Sequence, residues 1–203
     1  NGWPATYSQN YFIPNDNPWL DTGGSVLEEF YAIGLRSPHR MTFDTVTGKA
    51  LIGEVGEGDE EEVNVLAKGA NYQWAFREGN IAGPKAKPAS VIGTETAPIL
   101  TYSHNGGRSC VIAGYVYRGS QLPASMIGKY IFGDYTNGKI WSLDWQTPGA
   151  QPVLLTQIAA DLLCGFSVDS ANEIYFCTLG LSGRIYKLSS SGGSAQPPAT
   201  LSA

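Results

Sequence analysis

A strand, a tight polar turn and a second strand recur along this sequence, and this pattern constrains the fold more than any other feature. Apolar runs flank turns rich in Asp, Asn, Thr and Gly at 41–52, 130–143 and 165–176. Gly and Asn tolerate the positive φ that tight hairpin turns require, so these segments predict antiparallel β-hairpins. Residues 183–188 predict a closing strand. Repeated hairpins with little helical periodicity fit a β-propeller or a β-sandwich.

Composition supports an all-β globular protein and excludes several classes of function. The 203-residue chain is 42% hydrophobic and only 15% charged, with 25 Gly and 11 Tyr, so it can bury a core. Its net charge is −5 and it has no basic patch with interleaved aromatic residues, so we expect no nucleic-acid partner. No apolar run approaches the roughly 20 residues that a transmembrane helix needs, so we expect no membrane insertion.

The three cysteines leave the redox state open. Cys164 and Cys177 fall on strands that we expect to be neighbours, so a disulfide between them is one interpretation, and it leaves Cys110 free. The other interpretation is three buried thiols that act as small hydrophobic side chains.

Four phrases follow one another in a fixed order. They are Gly34-Leu-Arg-Ser-Pro38 within 31–40, Gly56-Glu-Gly-Asp-Glu-Glu-Glu-Val-Asn64, Gly69-Ala-Asn-Tyr-Gln-Trp74, and 112–135 with Tyr115-Val-Tyr-Arg-Gly119. In this order and at this spacing they resemble the glucose/sorbosone dehydrogenase family. These β-propellers include soluble quinoprotein sugar dehydrogenases and the hedgehog-interacting-protein-like branch.

The resemblance implies an all-β fold, a β-propeller of a six-bladed family, and it extends over about residues 13–188. Blades take roughly 40–50 residues each, so this chain covers about three to four blades. In the family the Arg-x-Pro phrase lies near the middle of the propeller, so the chain resembles the C-terminal half. We expect a partial propeller over 1–188 and a flexible Ser/Gly/Pro-rich linker over 189–203. Open sheet edges predict self-association or pairing with the missing propeller half.

The resemblance also implies a site for pyrroloquinoline quinone (PQQ). The Arg that matches Arg36 reaches the quinone in the dehydrogenases, and Ser37 stands where an Asn usually follows. Gly56 and Glu57 match a Gly-Pro pair whose carbonyls hold the calcium ion of the cofactor, with Glu in place of Pro. A planar guanidinium suits the carboxylates and carbonyls of this quinone. The alternative for Arg36 is a guanidinium that ties a loop to backbone carbonyls.

A further calcium site is implied at Glu62 and Tyr72, which match family residues that take part in calcium binding. Calcium prefers six to eight oxygen ligands, and the acidic run offers carboxylates. The alternative is that residues 57–62 form a solvated loop. His104 falls on a loop that faces the central cleft, where we expect a ligand contact, and His39 is interpreted as structural. The general-base His of the family matches neither, so the resemblance places it outside this chain.

Three positions depart from the dehydrogenase pattern. Thr136, Leu162 and Cys164 stand near the places where soluble glucose dehydrogenases direct a Lys and two Arg at the quinone. Two functions therefore remain open. One is the C-terminal half of a PQQ-dependent sugar dehydrogenase that is inactive as this chain alone. The other is a non-catalytic propeller that binds protein or carbohydrate. The resemblance implies a secreted or periplasmic protein in either case.

Two expectations concern packing. Arg118 and Asp134 lie at strand ends, where we expect them to pair and lock neighbouring blades. The tryptophans are expected to pack against the strands rather than to stack on sugar rings.

Overall fold

The computed structural model describes residues 13–20, 27–104, 109–158, 162–180 and 183–190. This part of the chain is almost entirely β-structure, with one turn of 3-10 helix at Ala124–Met126. The predicted linker beyond residue 190 lies outside the described residues. The strands are β1 (Pro38–Phe43), β2 (Ala50–Glu54), β3 (Glu60–Val65), β4 (Ala70–Asn71), β5 (Arg77–Glu78), β6 (Ile81–Ala82), β7 (Thr94–Glu95), β8 (Leu100–Ser103), β9 (Val111–Val116), β10 (Tyr130–Asp134), β11 (Lys139–Leu143), β12 (Val153–Gln157), β13 (Leu162–Val168), β14 (Ile174–Leu179) and β15 (Ile185–Lys187).

Three antiparallel sheets follow one another along the chain. The first sheet has the order β1-β2-β3-β8, the second β9-β10-β11-β12, and the third β13-β14-β15. The first strands of the three sheets contact one another, because β9 lies against both β1 and β13. Sheets joined in this way through their first strands are arranged like successive propeller blades in an arc.

The predicted hairpins are confirmed, and two of them share one kind of turn. In the turn from β1 to β2, Asp44 accepts hydrogen bonds from residues 46 and 47, and Gly48 closes the turn with φ of +69°. In the turn from β10 to β11, Asp134 accepts from residues 136 and 137, and Gly138 closes the turn with φ of +65°. A short side-chain acceptor and a left-handed Gly are what such turns require.

Two apolar cores lie between successive sheets. Between the first and second sheets, Tyr130 and Phe132 stack with ring centroids 5.7 Å apart, and Trp141 stacks on Phe132. Between the second and third sheets, Phe166 and Phe176 pack against aliphatic residues of β9, β10 and β11. Each fully buried large apolar side chain contributes about 1.5–3 kcal/mol, so these two layers hold the arc together.

Charged groups at the end of the arc where β1 and β9 finish join neighbouring sheets. Arg118, after β9, donates Nε to Asp44 Oδ1 at 2.8 Å and Nη2 to Oδ2 at 2.7 Å, which joins the second sheet to the first. The expected pairing of Arg118 with Asp134 is therefore wrong. Asp134 instead accepts from the Tyr102 hydroxyl and from its own turn, because it ends β10 at the other end of the sheet.

Glu173 joins the third sheet to the second from a fully buried position. Its Oε1 accepts from the amides of Ser120 and Gln121, and its Oε2 accepts from the Tyr117 hydroxyl at 2.9 Å. That hydroxyl also accepts from the amide of Leu122 at 2.8 Å. One buried carboxylate thus fixes the loop that follows β9.

Tyr117→Phe should lower the free energy of unfolding by about 2 kcal/mol, since it leaves a buried carboxylate oxygen and a buried amide without a partner. Urea denaturation measures the loss. Tyr175→Phe is the matched control, because that hydroxyl donates at 3.3 Å to the partly exposed Asp169, and its loss should stay below about 1 kcal/mol. Equal losses in the two variants would contradict this account of Glu173.

Apolar side chains remain exposed at both ends of the arc. Met41 and Phe43 of β1 are 47% and 61% exposed, on the side of the first sheet that faces away from the second. Leu179 and Ile185 are 53% and 44% exposed on the outward side of the third sheet. In a propeller, the next blade covers such faces.

Candidate functional site

The predicted cofactor residues gather at one end of the arc. Strands β1, β3, β9 and β13 begin at this end, and β2, β8 and β10 finish there, because neighbours within each sheet are antiparallel. Arg36 and Ser37 precede β1, Gly56 and Glu57 follow β2, and His104 follows β8. The sheet topology therefore explains why phrases far apart in sequence share one edge.

Arg36 holds the loop that follows β2. Its Nη1 donates to the carbonyl of Val55 at 3.1 Å and to that of Gly56 at 2.9 Å. The guanidinium carbon lies 5.4 Å from the centroid of the Trp74 ring, a cation–π contact. The structure thus shows the loop-tying role that was the alternative for Arg36. The Gly56 carbonyl, a calcium ligand by resemblance, accepts from Arg36 here.

Glu54 lies beneath this loop and was missed by sequence reasoning. Its Oε1 accepts from the amides of Arg36 at 2.5 Å and Ser37 at 2.6 Å, whereas its buried Oε2 has no hydrogen-bond partner. Burial, with a smaller contribution from the charge of Glu62, raises the pKa of Glu54 to about 7 despite the lowering effect of the two amides. The sequence feature that could have indicated a buried Glu54 is its position as a single acid at the end of the apolar run of β2.

Glu78 shapes the acidic turn between β2 and β3. Its Oε1 accepts from four consecutive amides, those of residues 57 to 60, at 2.8 to 3.1 Å. Burial favours a higher pKa for Glu78, but these four amides outweigh it and lower the pKa. Consecutive amides that converge in this way form an anion-binding concavity, and here the protein supplies the anion.

The acidic run is a solvated turn only over residues 57–59, which are exposed. Glu60–Val65 form strand β3, and Glu61 and Glu62 are buried. Glu62 pairs in register with Glu54 on β2, and burial raises the pKa of Glu62. Its Oε1 accepts from the Gly79 amide at 2.6 Å and its Oε2 from the Asn64 side chain at 2.9 Å.

Tyr72 and Glu62 belong to the same part of the molecule, but each has hydrogen-bond partners of its own. The Tyr72 hydroxyl donates to the Val65 carbonyl at 2.6 Å and accepts from the amide of Ala67 at 3.0 Å. Among the described residues, no group of three or more His, Cys, Asp or Glu is placed to hold a metal ion. A calcium ion at Glu62 would bind carboxylate oxygens that each already accept one hydrogen bond.

His104 lies between the first and second sheets. Its Nε2 lies 2.8 Å from Oε1 of the fully buried Glu61, whose Oε2 accepts from the Val111 amide. Burial raises the pKa of Glu61. His104 also lines a cleft of about 390 Å³ whose aromatic wall is formed by Tyr102 and Trp141, with ring centroids 5.6 Å apart.

The residues at this end fit part of a quinone site. Arg36 supplies one planar cation beside backbone carbonyls, which suits a carboxylate and an ortho carbonyl of the cofactor. Thr136 is engaged in its own turn, where its hydroxyl donates to Asp134 at 2.7 Å. Leu162 and Cys164, on β13, supply no charge either. The fit covers a single contact of a cofactor that carries three carboxylates.

Comparison with known proteins gives relatives of one kind. Residues 8–160 match the Glucose / Sorbosone dehydrogenase family. The HIPL1 protein of Arabidopsis thaliana is 30% identical over 144 residues, 66% of this chain and 20% of that protein. Quinoprotein glucose dehydrogenase B of Acinetobacter calcoaceticus is 38% identical over 73 residues, 36% of this chain and 14% of that protein.

A solved glucose dehydrogenase superposes with a TM-score of 0.71 at 19% identity, over 88% of this chain and 52% of its own. The chain thus spans about a fifth of HIPL1 and about half of that structure. This likeness confirms the predicted partial β-propeller, of which the described residues form three sheets of three or four strands and two small two-stranded sheets. The motifs, the arc of sheets and the match over 8–160 together show that this chain belongs to the glucose/sorbosone dehydrogenase family.

Proposed function

We propose that this chain is the quinone-contacting half of a PQQ-dependent sugar dehydrogenase propeller. The observation that carries the proposal is the Arg36 edge, where a guanidinium, two backbone carbonyls and the Trp74 ring meet at one end of the arc. Two relatives, a quinoprotein glucose dehydrogenase and the aldose sugar dehydrogenase YliI of Escherichia coli, support the substrate class.

The roles of the residues follow from this geometry. Arg36 would orient the quinone through a charge-assisted hydrogen bond, and the carbonyls at Gly56 and Glu57 would face the calcium ion bound with it. Glu62 and Tyr72 would hold a second, structural calcium. When bound, the quinone supplies the electron acceptor for oxidation of a sugar hydroxyl. Ser37 and Glu54 position Arg36, because both backbone amides that precede β1 donate to Glu54.

The chain alone should not oxidise sugars. The general base of the family matches neither histidine of this chain, and His104 is engaged with Glu61. Assay of the purified chain with glucose, PQQ, Ca²⁺ and an artificial electron acceptor should give no activity above the quinone blank. Turnover that depends on the protein would show that the described half contains its own base.

Arg36→Ala should weaken quinone binding roughly 10- to 100-fold, the range expected for one charge-assisted hydrogen bond. Titration of the purified chain with PQQ in Ca²⁺ or EDTA, followed by absorbance and melting temperature, measures the affinity. Lys49→Ala removes an exposed cation from the turn between β1 and β2, at the opposite end, and should leave the affinity unchanged. An Arg36→Ala chain that binds like the original would remove Arg36 from the site.

The exposed apolar faces at the two ends of the arc support a closed ring as the working form. We propose that the Met41 and Phe43 face and the Leu179 and Ile185 face are covered by further propeller sheets, from the other half or from a second copy. We also propose that the whole protein is secreted or periplasmic, as the resemblance implies. No helix among the described residues is long and apolar enough to span a membrane.

A non-catalytic binding propeller is the second candidate function. The cleft beside His104 favours it, because two aromatic rings together with Asn137 and Lys139 offer stacking surface and hydrogen-bond donors to a sugar or a peptide. The absent cations at positions 136, 162 and 164 favour it as well. In the same titration, stabilisation by Ca²⁺ with no response to PQQ would support this function over the dehydrogenase.

A further inference from the structure

Two thiols lie side by side on the third sheet. The Sγ atoms of Cys164 and Cys177 are 3.3 Å apart, and both cysteines are free. In the register of β13 and β14, Leu163 pairs with Thr178 and Gly165 pairs with Cys177, so Cys164 is the extra residue of a β-bulge. A bulge re-aims a side chain, and here Cys164 meets Cys177 across the strands. A bond of about 2.05 Å requires the sulfurs to approach by only about 1.3 Å.

The remaining contacts of this thiol pair are weak. Cys164 Sγ lies 3.4 Å from the Cys177 carbonyl, and Cys177 Sγ lies 3.7 Å from the Gly165 carbonyl. Thiols are weak hydrogen-bond donors, so these contacts do little to hold the sulfurs apart. Burial, together with the neighbouring Cys177, raises the pKa of Cys164 to about 11, although Arg40 acts in the opposite direction. The Cys164 thiol is therefore protonated at neutral pH.

The pair is reachable from outside the sheet. Cys177 lines a cavity of about 150 Å³ together with Tyr175, Ile185 and Arg40. The cavity lies on the face of the third sheet that points away from the second sheet. This is the face that we propose is covered when the ring closes, so the oxidant reaches it before closure. Arg40 donates Nη1 to the Phe166 carbonyl at 2.8 Å, which places a positive charge next to the bulge. A nearby cation favours a thiolate during exchange.

We propose that Cys164 and Cys177 are a reversible disulfide site, oxidised by a small organic disulfide that enters through this cavity. The Cys177 thiolate attacks one sulfur of the oxidant, which forms a mixed disulfide and releases the first thiol. Cys164 Sγ then attacks Cys177 Sγ, which forms the intramolecular bond and releases the second thiol. Two electrons pass from the cysteines to the oxidant, and the two cysteine protons leave with the released thiols.

The bond would tie the first strand of the third sheet to its neighbour. It closes a loop of 14 residues from Cys164 to Cys177, a length at which a crosslink stabilises a fold appreciably. Because β13 begins at the Arg36 end of the arc, the crosslink would also fix the strand that carries positions 162 and 164. The crosslink is independent of the proposed sugar chemistry, since it depends only on the two thiols and their surroundings.

The experiment uses the reduced Cys110→Ser chain, which keeps only the pair, and 2-hydroxyethyl disulfide as oxidant. We expect both free thiols to disappear together, the mass to fall by about 2 Da, and peptide mapping to join the two cysteines. The melting temperature should rise by about 5–10 °C and return when dithiothreitol is added.

Cys164→Ser and Cys177→Ser, in the same background, provide the matched controls. Each should stop at a single mixed disulfide that persists and should show no rise in melting temperature. Circular dichroism confirms that each variant is folded. The urea-unfolded parent chain gives the rate at which the disulfide closes when the fold does not hold the two thiols together. Mixed disulfides that persist on both cysteines of the parent chain, disulfide-linked dimers, or folded and unfolded chains that close the bond equally fast would overturn the proposal.

Discussion

Arg118→Ala is expected to lower the free energy of unfolding by about 3–5 kcal/mol, a larger loss than we expect from Tyr117→Phe. The Asp44 side chain is fully buried and that of Arg118 is 17% exposed, so truncation leaves a buried carboxylate without its countercharge. Hydrogen bonding from Arg118 lowers the pKa of Asp44 to about 2, as expected for an acid stabilised as the anion. Urea denaturation at pH 7 measures the loss.

Three companion variants distinguish the stability lost with this ion pair from non-specific destabilisation. Lys129→Ala removes a cation from the exposed Lys129–Asp144 pair and should cost less than about 1 kcal/mol. Arg118→Lys keeps the charge without the two-point contact, so its loss should be intermediate. In a double-mutant cycle, Arg118→Ala with Asp44→Ala should cost less than the sum of the single losses. A loss from Arg118→Ala no larger than that from Lys129→Ala would contradict the account.

Glu54→Gln is expected to flatten the dependence of stability on pH. The pKa of Glu54 is about 7 in the folded chain and 4.5 ordinarily, so folding takes up a proton between these values. The free energy of unfolding should therefore fall as pH rises from about 4.5 to about 7, by about 3 kcal/mol in total. Gln carries no charge, so the variant should lack this decline and retain the part due to Glu61 and Glu62, whose pKa values burial also raises.

Denaturation curves at several pH values, recorded in EDTA, test this prediction. Glu78→Gln is the control of opposite sign, because four amides stabilise that carboxylate and lower its pKa. The variant should be less stable than the original chain at neutral pH, and the difference should shrink as pH falls below about 4.5. The Glu54 account fails if Glu54→Gln keeps the full decline between pH 4.5 and 7.

The hairpins were predictable because local chemistry determines them, whereas the propeller arrangement was predictable only from the family resemblance. Hairpin turns depend on a side-chain acceptor and a residue with positive φ a few positions later, and Asp44 with Gly48 shows both in the sequence. Strand β1 precedes this turn and strand β2 follows it, as predicted. The burial of the acidic run was harder to predict from the sequence. A row of Glu residues predicts solvent contact, yet Glu61 is fully buried.

The candidate site was predictable only in outline. The motifs singled out Arg36, Gly56 and Glu62 as candidate site residues, and the sheet topology brings them to one end of the arc. Burial by residues distant in sequence could not be inferred, so Glu54 and Glu78 were missed. The wrong partner for Arg118 has the same origin, because Asp44 is 74 residues away in sequence and reaches Arg118 only when two sheets pack together.

Arg40 connects the first and third sheets directly. It starts from β1 in the first sheet and donates to the carbonyl of Phe166 on β13 in the third, beyond the second sheet that separates them. This contact limits how far the first and third sheets can separate, so it adds to the two apolar cores in holding the curvature of the arc. The gap between the outer faces of the first and third sheets is therefore defined within this segment. Any further sheets that close the ring must fit that gap.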